Sequence, residues 1–192
     1  MKRLLLKRTV GLAVWCVCLS SSVGAQGVAH NNTLEMKKES TNQIRLEFAL
    51  NLTQVLHGIL APQTTYSDFL QRCAELPDAA LALEMAKASK ALTAKSWVTL
   101  PSGSKTMLTD WQLPDKQLLR DACKAGTFIL QMPPSAASHL DPMPVQAQVH
   151  TKRPINRVQL QLHPALHPIL VSFKNDKFWL TEQIPMALVD LD

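Results

Sequence analysis

Glycine is scarce in this chain, 6 of 192 residues against 12 prolines. A phosphate-cradling loop needs closely spaced glycines, and no such run exists. There is no Gly-x-Ser-x-Gly elbow, so the nucleophile turn of the α/β-hydrolases is absent. Cysteine is also sparse, with four residues and no Cys-x-x-Cys pair. That excludes the spacing that depresses a thiol pKa in redox centres. Past residue 25 no apolar run is long enough to span a bilayer as a helix, which takes about 20 residues. No internal repeat is visible.

The N-terminus is built differently. Lys2, Arg3, Lys7 and Arg8 form a positive segment, and an apolar run follows from Val10 to Leu19. Ser20, Ser21 and Ser22 end it, and Val23 and Ala25 place small residues where a signal peptidase requires them. The pattern predicts a cleavable signal peptide over 1–25, cut between Ala25 and Gln26. The run is too short for a spanning anchor, and Cys16 and Cys18 lack the small-residue context of a lipidated cysteine.

Cleavage changes the electrostatic reading. Of the 20 basic residues four lie in the positive segment, which leaves 16 basic against 15 acidic. The pI near 9.1 of the whole chain therefore does not announce a nucleic-acid binder. One small basic cluster remains, His150, Lys152, Arg153 and Arg157. The end of a solvated strand explains it as readily as a phosphate site.

Cleavage would also leave two cysteines, Cys73 and Cys123. An even pair in an oxidising compartment reads as a disulfide. Each lies on an apolar helical stripe: Phe69, Leu70, Cys73 and Leu76 on one side, and Leu118, Leu119, Ala122 and Cys123 on the other. Two separate buried thiols are the plainer alternative.

Residues 26–42 are polar and lack periodicity, which predicts a flexible N-terminal tail. A single domain is expected over 43–192, a length suited to one core. Between Ile44 and Leu60 two patterns compete. Ile44, Leu46, Phe48, Leu50 and Leu52 alternate like a strand, while Ile44, Phe48, Leu52, Val55, Leu56, Ile59 and Leu60 share a helical face. The helical pattern is longer and predicts a helix. Thr65 begins a capping box for a second helix running to Leu76. Pro77 and Asp78 open a third, with the stripe Leu81, Met85, Ala88 and Leu92.

From Ser96 the pattern becomes one of strands. Trp97–Leu100 and Lys105–Trp111 flank a turn and predict a hairpin. A short helix follows Pro114, with Gly126 as its C-terminal cap and Thr127–Met132 as a buried strand. After the Pro-rich stretch Pro133–Pro144, apolar residues alternate over 145–150 and 157–162. Further strands are expected at Ile169–Phe173 and Phe178–Thr181 around the turn Lys174–Lys177. Helices first and strands later predict an α+β fold. The N-terminal helices would pack on a mostly antiparallel sheet, with the C-terminal half a β-meander.

No catalytic constellation is evident. His163 and His167 stand four apart, as do paired metal ligands on a helix, but Pro164 and Pro168 break any helix and no third ligand is near. A rigid turn is the favoured reading, and neither a metal nor a cofactor is expected. Asp110, Asp115, Asp121, Asp176 and Glu182 are scattered. Asn31 and Asn51 each begin a glycosylation sequon, silent if the source is bacterial, as the compact basic signal suggests. Trp97, Trp111 and Trp179 fall on strands, where sheet packing accounts for them more simply than a binding face does.

These residues predict an exported protein, periplasmic or secreted. It would be a non-enzymatic binding or envelope-assembly accessory that takes a protein partner or small ligand on its sheet face, without nucleic acid. The alternative is a small exported hydrolase. It requires one of His57, His139, His150, His163 or His167 beside a carboxylate in a deep pocket.

Overall fold

The computed structural model describes residues 32–132 and 140–191. The expected signal peptide, the cleavage pair Ala25 and Gln26, the sequon residue Asn31 and His139 lie outside them. The fold is α+β, as the order of patterns implies, with four helices and two mostly antiparallel sheets among the described residues. The strands are β1 (Asn32–Ser40), β2 (Gln43–Leu50), β3 (Trp97–Thr99), β4 (Lys105–Met107), β5 (Thr109–Gln112), β6 (Met143–His150), β7 (Arg157–Gln161), β8 (Ile169–Phe173), β9 (Asp176–Leu180) and β10 (Met186–Asp190). The helices are α1 (Leu52–Leu60), α2 (Tyr66–Glu75), α3 (Asp78–Lys95) and α4 (Lys116–Gln131).

Six strands form one sheet in the order β5-β6-β2-β1-β8-β9, and four form a second in the order β10-β7-β3-β4. Among the described strands only the β1–β8 pair is parallel. The expected meander is realised in the β8–β9 hairpin. The other C-terminal strands pair with distant segments, β6 with β2 and β5, and β7 with β3 and β10.

Each sheet buries one face, because its strands alternate. Leu34 and Met36 of β1, Ile44, Leu46, Phe48 and Leu50 of β2, and Val145, Ala147 and Val149 of β6 point into the core of the larger sheet. Val98, Val158, Leu160 and Val189 do so from the smaller one. All four helices contribute to the same core, among them Leu52, Leu56, Leu70, Leu92 and Leu119. At about 25 cal/mol per Å² of apolar area removed from water, this burial is the main stabilising term.

Four sequence expectations are corrected. Residues 32–40 are not a flexible tail but a strand lying between β2 and β8. Two apolar side chains in a polar run are too few to signal a strand, and the two neighbouring ladders stabilise it. Ile44–Leu60 is not one helix. Both competing periodicities are real but successive, a strand to Leu50 and a helix from Leu52. Asn51 marks the change, its side chain accepting from the Gln54 N–H as an N-cap.

Gly126 does not cap α4, and Thr127–Met132 is not a strand, since the helix runs on to Gln131. The glycine serves close approach, for a Cβ there would lie 3.0 Å from Leu70 Cδ1 and 3.3 Å from Leu140 Cδ1. Lys105–Trp111 is divided at the buried Leu108 between the two sheets, as β4 and β5. By contrast Thr65 caps α2 as read, its hydroxyl accepting from the Asp68 N–H at 3.1 Å.

Candidate functional site

The cysteine stripes of α2 and α4 meet. Cys73 and Cys123 form a disulfide with their Cα atoms 6.0 Å apart. Both are buried, and Gly126 lies one turn further along α4 against Leu70 of α2. The bridge is thus part of a tight helix–helix contact.

Among the described residues no third side chain is placed to complete a metal site with His163 and His167. No group of three or more His, Cys, Asp or Glu side chains among the described residues is arranged to hold an ion. His163 is buried and caps a 3-10 turn, Pro164–Leu166, with Nδ1 accepting from the Ala165 N–H at 3.1 Å. Its own N–H donates to the buried Ser96 hydroxyl at 3.1 Å. Burial, with Lys95 and His167 adding, pushes the His163 ring down to about 4. His167 is also lowered by burial, against the opposing field of Glu182. The His163 ring is therefore neutral at pH 7 and holds the turn, while His167 closes it through its backbone N–H, which donates to the Pro164 carbonyl at 2.9 Å.

The hydrolase alternative asks for a histidine beside a carboxylate in a deep pocket. His150 Nε2 stands 3.9 Å from Asp110 Oδ2, but more than half of each side chain is exposed. The nearer partner of that nitrogen is Gln148 Oε1, at 2.9 Å. His57 is held by the Thr64 carbonyl at 2.9 Å and packs against Tyr66 and Phe69. An enclosed apolar gap between the helices, lined by Leu56, Phe69, Cys73 and Leu119, measures about 20 Å³. That is space for a water molecule and not for a substrate.

The outward faces of the two sheets differ. On the larger sheet, Glu35 lies directly opposite Glu47, and Lys37 opposite Arg45. Like charges facing each other across strands are unfavourable, and here the diagonal pairs offset them. Lys37 bridges both glutamates, at 3.4 Å to Glu35 and 2.5 Å to Glu47, while Arg45 pairs with Glu39. Across β1 and β2 this face is polar and internally neutralised, while Leu170 and the exposed Trp179 lie at its β8–β9 end.

The smaller sheet turns apolar side chains outward. Register places Met186, Gln161, Trp97 and Met107 in one row across all four strands, and Leu188, Gln159, Thr99 and Lys105 in the next. Leu188 is 65% exposed, and Met186 and Met107 43% each. Ile184, just before β10, is 60% exposed. Lys105 Nζ lies 4.5 Å from the Trp97 ring centroid, a cation–π contact.

Of the three strand tryptophans, Trp111 packs on Phe48 at 5.3 Å and Trp179 is 42% exposed on the larger sheet. Only Trp97 belongs to the apolar face. β10 was not legible in the sequence. Met186, Ala187, Leu188 and Val189 are all apolar, so no alternation betrays a strand with one face left outside. Four consecutive apolar residues near Asp190 are the signal that was there. No known protein family matches the chain, and no curated protein does.

Proposed function

We propose that this is an exported, non-enzymatic accessory protein of the cell envelope that docks a partner protein on the outward face of its four-stranded sheet. The observation that carries the reading is that face: Met107 opposite Trp97 on one side of Gln161, and Met186 with Leu188 on the other, with the exposed Ile184 just before β10. Exposed apolar side chains grouped on one sheet face mark interaction surfaces. Natural sheet edges are guarded by charge, shortness or bulges. β5 carries an irregular register, β9 begins with Asp176 and Lys177, and β4 has three residues including Lys105. β10 has only Asp190, already paired with Arg157 at 2.8 Å.

The occupant is a protein surface that is apolar at its centre and carries an acidic side chain to meet Lys105. A small ligand is the weaker choice because the face is open rather than concave. The disulfide Cys73–Cys123 supports export. Among the described residues no helix is long and apolar enough to cross a membrane.

A photo-crosslinking residue at position 188, compared with one at Ser172 on the larger sheet, tests the proposal in cells of the source. A discrete adduct is expected from 188 alone, lost in the Met186→Lys variant. Equal labelling from both positions, or none from 188, overturns it. An adduct of two copies of this chain would replace the partner by self-association.

A further inference from the structure

The basic cluster singled out in the sequence does not stand alone. His150 ends β6, and Lys152 and Arg153 follow it in the connection to β7. Across from them is the β3–β4 hairpin, with Ser102, Ser104 and Thr106. Together with Leu100 and Thr151 these residues line one cleft of about 560 Å³, where the end of the larger sheet meets the hairpin of the smaller. We propose that this cleft binds a phosphate-type oxyanion. The inference is independent of partner docking on the sheet face.

Three features argue for it. The first is unused charge. Lys37, Arg45, Lys87, Arg120 and Arg157 each have a carboxylate within ion-pair distance. Lys152 and Arg153 have none among the described residues, and Asp110 offsets only His150, at 3.9 Å.

The second is donor chemistry. The Ser102 and Ser104 hydroxyls are 2.9 Å apart. Such a pair shares one hydrogen and leaves the other free to donate outward. With Thr106, the Lys152 ammonium and the Arg153 guanidinium, the cleft offers more donors than the two oxygens of a carboxylate require. A tetrahedral anion with three or four oxygens uses them better, and Arg is suited to pair two oxygens at once.

The third is a held backbone. The Thr151 N–H donates to the Asn42 carbonyl at 3.0 Å, and the Ile155 N–H to the Thr41 carbonyl at 2.6 Å. The Thr151 hydroxyl donates to the Arg153 carbonyl at 2.5 Å. The segment carrying both cations is therefore tied down at both ends before any ligand arrives, which lowers the entropy lost on binding. On the other wall, Gly103 adopts φ 82° in the hairpin turn, and its N–H bonds the Leu100 carbonyl at 2.8 Å.

The anion can be a free phosphate or the phosphate of a lipid headgroup, and one experiment separates them. The ¹⁵N-labelled protein is titrated with inorganic phosphate at constant ionic strength, because screening alone alters exposed charges. It is then sedimented with vesicles of phosphatidylglycerol or of phosphatidylcholine.

Saturable amide shifts confined to 102–106 and 150–153 are expected. They should weaken about ten-fold in Lys152→Gln/Arg153→Gln, the loss expected when charge-assisted hydrogen bonds are removed. Sedimentation with phosphatidylglycerol, competed by phosphate, assigns a headgroup. Phosphate shifts without vesicle binding assign a soluble phosphate. Ser104→Ala, which alters the opposite wall, should also weaken binding while leaving the remaining spectrum unchanged. Absence of localised shifts, or equal affinity in the double variant, overturns the site.

Discussion

Gly126 shows how one missing side chain sets a helix contact. A Cβ there would meet both Leu70 methyls, at 3.0 and 3.2 Å, and Leu140 at 3.3 Å. A larger residue must push α4 from α2 at the point where the disulfide joins them. Gly126→Val should cost about 2 kcal/mol, typical of overpacking a core, read as a lower urea midpoint. His163 is the second residue with a testable consequence. The ring titrates near 6.5 when unfolded and at about 4 when folded. Between those values the unfolded chain binds more protons, so acid favours unfolding. Stability is full above pH 6.5 and falls as the pH drops toward 4. His167, lowered by burial, acts in the same direction, while Lys95 and Glu182 are the charges that act on the two rings. His163→Asn keeps an acceptor for the Ala165 N–H and removes this titration. Its urea midpoint should change less between pH 6.5 and 4 than that of the unaltered protein.

At the level of elements, α2 and α4 are joined across a sequence separation of 50 residues. Closing a loop of that length restricts the unfolded chain by about 4 kcal/mol on the chain-entropy description. Cys73→Ala/Cys123→Ala should lose stability of that order, measured by thermal melting, and reductant should leave the double variant's transition where it is. The helical stripes that nominated this pair were readable because each cysteine sat among apolar neighbours at helical spacing. The same reasoning failed where the period changes midway. Asn51 ends one pattern and starts another, yet Leu52 fits both, so the longer pattern prevailed wrongly. It failed again at Gly126, where glycine after an apolar stripe resembles a cap. Whether such a glycine ends a helix or admits a neighbour depends on Leu70, 56 residues away in sequence.

At the scale of the whole molecule, the two sheets present different outward faces. The larger sheet neutralises the outward charges of β1 and β2, the smaller sheet exposes methionine and leucine, and Lys152 and Arg153 lie at the seam between them. A protein that docks a partner on one face and an anion at one edge has use for this division. The export proposal makes a prediction at this scale too. Intact mass of the protein from its own source should correspond to a chain beginning at Gln26, and a chain retaining Met1–Ala25 would refute cleavage there.

The candidate site was legible only in pieces. His150, Lys152 and Arg153 stand together in sequence, but Ser102, Ser104 and Thr106 lie some fifty residues earlier, and the pairings of β3 with β7 and of β5 with β6 bring the hairpin near. The apolar face was less legible still, since only register sets Met107 opposite Trp97 and brings Met186 and Leu188 of β10 onto the same face across β7. Local pattern by itself determined the α+β class, the cap at Thr65, the alternating strands and both halves of the disulfide. These follow from backbone geometry and side-chain periodicity within a few residues. Tertiary structure decided that residues 32–40 form a strand, that the strands divide into two sheets, and which apolar side chains remain outside. Those outcomes rest on hydrogen-bond ladders and buried area shared between distant segments, and no single segment's pattern contains them.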